Sequence, residues 1–346
     1  MASTSPPPPP LDTLGRPLRD LRLSVIDACN FRCPYCMPAD RVGEDHGLDA
    51  ASRLSFDEIE RLVHAAVRTG VRKLRITGGE PLLRKGLPGL IARLAAIDGV
   101  EDIALTTNGS LLAAQAAALR EAGLGRLTVS LDALHPDVFS RLSGGRGRVD
   151  DVLAGIAAAR EAGFDAIKLN CVVQRGLNED QVLPLAEYAR REGHTLRFIE
   201  YMDVGTCNAW DGARVVTSAE LRARLHARWP VHALQPQYRG EVAERHAYAD
   251  GVGEVGFVSA ISQPFCGDCH RARVSADGRL YTCLFATEGT DLRPWLGADT
   301  DDDTRADALA ALWRRRADRY SELRATASRA EVSMAARRVE MFLVGG

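Results

Sequence analysis

No apolar run in this sequence reaches membrane-spanning length, and its first residues lack the basic and apolar regions of a secretory signal. The expectation is a cytoplasmic chain without a membrane partner. An excess of either charge is lacking too: 44 Lys and Arg against 46 Asp and Glu leave a net charge of −2. Such a balance gives no general attraction for nucleic acid or an anionic surface, so an anionic ligand needs locally gathered Arg and Lys. Beyond a strand–helix alternation there is no convincing short-period repeat. A disulfide framework is also excluded. Only eight cysteines occur in 346 residues, and six of them fall into two triplets, which reads as metal ligation in a reducing compartment.

What the chain does have is 46% hydrophobic residues, enough to bury one large core or two moderate ones. Residues 1–13 include Pro6 to Pro10 and are expected to form a disordered, polyproline-like arm. Strand-like runs follow at 21–25, 73–76, 103–107, 127–131, 167–173 and 196–201. Helical patterns fall between them near 55–69, 87–97, 111–122, 149–162 and 179–191. Gly70, Gly123, Gly163 and Gly193 stand where helix C-terminal caps are needed, and Ser55-x-x-Glu58 is a capping-box start. Short apolar strands joined by helices require right-handed crossovers and a parallel sheet. The fold class is therefore α/β, with an incomplete (β/α)6 barrel of TIM type over residues 14–203. After Asp203 the alternation dissolves. Residues 204–346 are expected to be an α+β extension, with a solvated acidic loop at 299–303 and an exposed helix at 306–320.

The first triplet, Cys29, Cys33 and Cys36, has the spacing C-x3-C-x2-C and follows the first strand directly. Structural zinc takes four ligands from paired hooks. Three thiolates on one tight loop suit a four-iron cluster whose remaining iron is open to a small molecule. A zinc knuckle borrowing a distant His, or three buried free thiols, are the plainer readings. The second triplet, Cys266, Cys269 and Cys283, again lacks an obvious fourth ligand, although His270 could complete a zinc ribbon. Between its cysteines, Arg271 and Arg273 set two guanidiniums beside the metal, a geometry suited to phosphate. In isolation the same pair would be solvated arginines on a hairpin.

The C-x3-C-x-aromatic-C pattern resembles the radical S-adenosylmethionine (SAM) superfamily, where the open iron chelates SAM and reductive cleavage gives a 5′-deoxyadenosyl radical. The run Thr77-Gly78-Gly79-Glu80-Pro81 resembles that superfamily's GGE motif, which holds the methionine amino group. By the same resemblance Tyr35, Gly79, Ser130 and Met202 are expected to contact SAM or its cluster. Further stretches narrow the resemblance to the GTP 3′,8-cyclase family, from about Leu14 to Gly346. They are Gly15-Arg-Pro-Leu-Arg-Asp-Leu-Arg-Leu-Ser, Leu105-Thr-Thr-Asn-Gly, Phe198-Ile-Glu-Tyr-Met-Asp and Cys283-Leu-Phe-Ala. The proline-rich start, the loop 42–53 and two extra cysteines depart from that pattern. Cys171 and Cys207 are expected to be inert.

The resemblance implies two [4Fe–4S] clusters with SAM as cofactors, GTP as substrate, and abstraction of its C3′ hydrogen before bonding to guanine C8. The open iron of the second cluster is expected to hold the purine. Arg22, Arg75, Thr106, Lys168, Arg271 and Arg273 are expected to hold ribose and phosphates. Lys168 and Arg75 could otherwise be snorkelling residues at strand ends. The terminal Gly345 and Gly346 are expected to enter the active site and order the substrate-side cations. Expected partners are an electron donor such as flavodoxin or ferredoxin and, downstream, cyclic pyranopterin monophosphate synthase. Assembly as a homodimer is left open. The alternatives are a radical SAM peptide-modifying maturase and a zinc-binding module.

Overall fold

The computed structural model describes residues 8–43, 47–326 and 338–345. Six parallel strands stand side by side in chain order: β1 (Asp20–Ser24), β2 (Lys73–Thr77), β3 (Asp102–Thr107), β4 (Arg126–Ser130), β5 (Ile167–Val173) and β6 (Thr195–Glu200). Helices α1 (Phe56–Arg68), α2 (Leu87–Ala95), α3 (Ala116–Glu121), α4 (Pro136–Leu142), α5 (Val149–Glu161) and α6 (Val182–Glu192) connect them. This is the expected incomplete (β/α)6 barrel. The predicted capping box forms at α1, where Ser55 and Glu58 each bond the other's backbone N–H. α4 has no counterpart in the sequence reading.

The strands alternate with period two. Leu21 and Leu23, Leu74 and Ile76, Leu127 and Val129, and Leu196 and Phe198 are buried in the main core. The intervening Arg22, Arg75, Thr128 and Arg197 occupy the opposite face of the sheet. A packed barrel interior would be filled by branched apolar layers. Here that face carries charge, so it lines a cavity instead.

Past Asp203 come α7 (Ser218–Arg228), β7 (Val231–Ala233), β8 (Glu244–Tyr248), β9 (Glu254–Val258), β10 (Arg271–Val274), β11 (Arg279–Tyr281) and β12 (Thr290–Asp291). They extend the barrel sheet on both flanks. β9 pairs parallel with β6, and β10 pairs parallel with β1, giving the order β12-β11-β10-β1-β2-β3-β4-β5-β6-β9-β8-β7. The division at 203 is therefore one of connectivity, not a break in the sheet. Among the described residues, α8 (Arg293–Leu296), α9 (Asp302–Arg314), α10 (Tyr320–Thr326) and α11 (Met341–Val344) follow. Among the described residues no helix is long and apolar enough to cross a membrane.

Two sequence expectations are corrected. The disordered arm does not extend to residue 13. Pro10 and Asp12 are buried, Leu11 bridges Pro17, and Asp12 meets Arg16 and Arg316. Residues 1–7 lie outside the described residues. The helix expected to be exposed at 306–320 is α9, which starts earlier and ends at Arg314. Leu309 and Trp313, four residues apart, are buried against the core while Asp307 faces solvent. Part of the acidic loop is the start of this helix, with Asp301 accepting from Thr304 N–H at its N-terminus.

Candidate active site

The first triplet leaves β1 at the strand's C-terminal end. Its lead-in, Ile26 to Ala28, runs against the glycine pair after β2. Gly79 N–H bonds Ile26 O at 2.8 Å and Glu80 N–H bonds Ala28 O at 2.9 Å. A Cβ at Gly78 would lie 2.3 Å from Ile26 O, and one at Gly79 2.3 Å from Ala28 O. The two glycines are thus required by the approach of the cysteine loop itself. Glu80 is buried and accepts from Thr107 Oγ1, Asn108 N–H and Leu82 N–H. Burial nevertheless pushes its carboxyl up to about 7.

Cys33 and Cys36 are both held well above the usual thiol value, by burial first and then by their fellow cysteines. Burial also pushes Cys29 up to about 11. Three thiols crowded in one buried pocket resist ionisation on their own. As thiolates they demand a positively charged partner, which is what an iron–sulfur cluster offers. Tyr35 donates its hydroxyl to Asp132 Oδ2 at 2.7 Å, which fixes the ring beside this loop. Ser130 ends β4, and Met202 follows β6 on the cavity wall.

The second triplet is approached by different neighbours. Cys266 and Cys269 flank a short turn that feeds β10, and Cys283 follows β11. Burial alone would raise Cys269, but Arg271 and Arg316 outweigh it and draw the thiol down to about 6. A thiolate at neutral pH is the form that binds iron, which suits Cys269 as a ligand, while burial pushes Cys283 up to about 11 as it does the thiols of the first triplet. His270 packs against Tyr238 and Gly240.

Beside the second triplet lies a cavity of about 430 Å³ whose walls include all six residues expected to bind GTP, together with Met202; Cys29, Cys33, Cys36, Tyr35, Gly79 and Ser130 are not among its lining. Strand register explains the grouping. Arg22 stands opposite Arg273 on one side and Arg75 on the other, while Thr106, Thr128 and Lys168 form one row across β3 to β5. Arg75 bonds Thr106 Oγ1 at 3.0 Å and Thr128 Oγ1 at 3.2 Å, so its fork is already oriented.

The cations outnumber nearby carboxylates and disfavour one another. Arg22 is held well below its usual value by burial and then by Arg273, Arg75 and Arg271. Burial, then Arg197, Arg126 and Arg75, lower Lys168 to about 8. Burial, then Arg271, lowers Arg273 to about 10. Arg22 Nε and Arg273 Nη1 are buried without a hydrogen-bond partner. Buried donors of this kind call for an acceptor, and a polyanion answers both the charge and the geometry.

Sequence reasoning missed Lys73, Arg126 and Arg197, which line the same cavity. Lys73 lies over the Tyr238 ring, Arg126 pairs with Asp102, and Arg197 bonds Asn170 and Thr128. The available signal was alternation: Lys-Leu-Arg-Ile-Thr places a polar residue at every second position of a strand expected to be buried, and Thr-Leu-Arg opens β6 in the same way.

The chain end docks into this region. Phe342 packs with Met37 and Val42 beside Cys29 and Cys36, and Val344 packs with Tyr281 and Val339. Gly345 has φ +67°, and a Cβ there would lie 2.1 Å from Thr77 Cγ2. Upstream, Glu340 accepts from Thr206 Oγ1 and the Cys207 thiol, while Arg338 and Arg324 pair with Asp203. Cys207 thus holds the tail, whereas Cys171 is the expected buried strand thiol. Gly346 lies outside the described residues.

Residues 23–189 match the Radical SAM superfamily, and residues 194–322 match Molybdenum Cofactor Synthesis C. A GTP 3′,8-cyclase of Xanthomonas campestris pv. campestris (strain B100) is 66% identical over 338 residues, covering 98% of this chain and 98% of its own. Enzymes of that name from Acidothermus cellulolyticus and Staphylococcus aureus (strain JH9) are 55% and 42% identical. They cover 91% and 97% of this chain, and 88% and 98% of their own. Among solved structures, Streptococcus suis SuiB bound to S-adenosylmethionine aligns with a TM-score of 0.58 at 15% identity, over 84% of this chain and 68% of that one. At that identity the likeness is one of fold.

Proposed function

The chain belongs to the GTP 3′,8-cyclase family of radical SAM enzymes, and from that premise we propose how its residues perform the family's reaction. It converts GTP to (8S)-3′,8-cyclo-7,8-dihydroguanosine 5′-triphosphate in molybdenum cofactor biosynthesis, with two [4Fe–4S] clusters and SAM as cofactors. The observation that carries the site assignment is the pair of buried, unpartnered donors, Arg22 Nε and Arg273 Nη1, in a cation-lined cavity beside three cysteines.

Cys29, Cys33 and Cys36 hold the first cluster, with Tyr35, Gly79, Ser130 and Met202 around SAM. Cys266, Cys269 and Cys283 hold the second. When bound, the first cluster with SAM would supply the radical chemistry that removes the C3′ hydrogen of GTP, and closure of C3′ onto guanine C8 would be completed by one electron from the external donor and one proton. The chain's own contribution is placement and exclusion. Arg22, Arg271 and Arg273 receive the triphosphate, and Arg75, Thr106 and Lys168 orient the ribose so that C3′ faces the radical. Each charge-assisted bond contributes about 1.5–3 kcal/mol. Gly345 and Gly346 order the substrate-side cations, and at Gly345 a Cβ would strike Thr77.

The remaining assignments follow from the same premise. Residues 14–203 are the radical SAM barrel, which also turns Arg22, Arg75, Thr106 and Lys168 toward GTP, and residues 204–346 carry the second cluster and the remaining GTP-binding residues. A flavodoxin or ferredoxin supplies electrons in the cytoplasm, and the product passes to cyclic pyranopterin monophosphate synthase. Anaerobically reconstituted protein, given SAM, reductant and GTP, is expected to yield 5′-deoxyadenosine and the cyclised nucleotide together. Cleavage of SAM with GTP left intact would overturn this assignment.

A further inference from the structure

One buried ion cluster lies outside the roles assigned above. Asp12, Arg16 and Arg316 have almost no side-chain exposure. Arg16 Nε meets Asp12 Oδ2 at 2.6 Å, and Arg316 Nη1 meets the same oxygen at 3.1 Å. Burying such a group gives little net stability, because desolvation offsets the attraction. Its placement therefore asks for another reason.

That reason lies in what the two guanidiniums grip. Arg16 Nη1 donates to Cys266 O at 2.7 Å, and Arg316 Nη1 donates to Cys269 O at 2.7 Å. Arg316 Nε donates to the carbonyl of Thr282, the residue before Cys283, at 3.0 Å. Each backbone segment that carries a cysteine of the second triplet is thus held by one of these two side chains. Asp12 locks both forks. Trp313 holds the Arg16 carbonyl through Nε1 and stacks under Arg316. Arg16 Nη2, on the same guanidinium that grips Cys266, is buried without a partner. A buried N–H on the side chain that grips the Cys266 backbone needs an acceptor, and cluster sulfur is one such acceptor.

We infer that Asp12, Arg16 and Arg316 form a clamp that positions the ligands of the second cluster and, through Arg16, sets its reduction potential. The inference rests on assigning Cys266, Cys269 and Cys283 to that cluster. Arg316 Nε also lies 3.5 Å from Asp318 Oδ2, so the two guanidiniums are balanced by two carboxylates, and the effect on potential falls to the N–H of Arg16. An N–H bond to cluster sulfur favours the reduced, more negative cluster and raises its potential. All three are positioning residues.

The test uses full-length, anaerobically reconstituted protein and reads iron per chain with potentiometric EPR of each cluster. Arg16→Lys keeps a charge but cannot span carboxylate and carbonyl together. It is expected to retain full iron while the second cluster's potential falls and the first's does not move. A tenfold loss of preference for the reduced state corresponds to about 59 mV. Arg316→Met is expected to lose about half of the iron, with the first cluster's signal intact. Unchanged potentials in Arg16→Lys together with full iron in Arg316→Met overturn the inference. So does equal damage to both clusters, which would mark a general structural role. A single cluster in the unaltered protein would instead sink the assignment of the second triplet.

Discussion

The two cysteine triplets share a chemistry and differ in charge. Around the first, the nearest titrating neighbours are carboxyls, Asp132 and Glu80, themselves pushed up by burial to about 6 and about 7, and all three thiols are raised. Around the second, burial still pushes Cys283 up to about 11, but Arg271 and Arg316 overcome burial at Cys269 and lower it to about 6. Each setting suits one partner. Carboxyls match SAM, a sulfonium that also carries an ammonium group. A guanidinium cluster matches a triphosphate. The same ligand type at opposite ends of the neighbouring strands β1 and β10 thus meets different surroundings.

The sharpest way to break this comparison removes one ligand from each side. Cys33→Ala is expected to abolish SAM cleavage, because the loop then has two ligands for a cluster that needs three. Cys269→Ala is expected to keep part of the SAM cleavage while stopping cyclisation. Equal loss of 5′-deoxyadenosine in both variants would show that the two centres do not divide the labour.

The chain end touches both settings, since Leu343 packs with the group around Met37 and with the group around Tyr281. Deleting Gly345 and Gly346 is expected to leave iron content and thermal stability unchanged but to eliminate cyclisation. A synthetic peptide of the last residues, added in trans, should restore part of it. Full GTP turnover by the shortened protein would make the tail a packing element only. A smaller effect is expected of Arg273→Ala, which removes one of the unpartnered donors. GTP affinity should drop tenfold or more, from a lost charge-assisted contact of about 1.5–3 kcal/mol, while guanosine affinity changes little. Isothermal titration of both ligands separates phosphate recognition from a general loosening of the cavity.

Much of this layout was legible because its signals are local. Leu, Ile and Val at every second position announced β1 to β6, and three cysteines on one loop announced the first cluster. Arg271 and Arg273 were legible because two cations between metal ligands are hard to explain as surface. What escaped depends on partners distant in the chain. Nothing in Glu-Val-Gly-Phe-Val or Arg-Ala-Arg-Val says that these strands pair parallel with β6 and β1. Asp12 reads as part of a proline-rich arm until Arg316, 304 residues away, completes its site. Arg197 and Lys73 were visible as polar positions in a buried strand, but a snorkelling side chain leaves the same trace. Gly78 and Gly79 were credited to a ligand's approach, and only the packed loop shows that Ile26 and Ala28 demand them.

The smallest expected effect concerns the acidic side of the comparison. Asp132 accepts from Tyr35 and from Val172 N–H, yet burial outweighs both bonds and raises its carboxyl from 3.8 to about 6. An acid with a raised folded pKa binds its proton more tightly in the folded chain. Its contribution to stability is full below about pH 3.8 and is lost as pH rises through about 6. Asp132→Asn keeps an acceptor for Val172, can donate an N–H to the Tyr35 oxygen, and never ionises. Its unfolding midpoint should match the unaltered protein near pH 4 and exceed it by a few degrees above pH 6. A thermal series across that range on anaerobic protein reads the difference directly. If the variant instead trails at every pH, Tyr35 needs a charged acceptor, and the first triplet depends on negative charge as firmly as the second depends on positive.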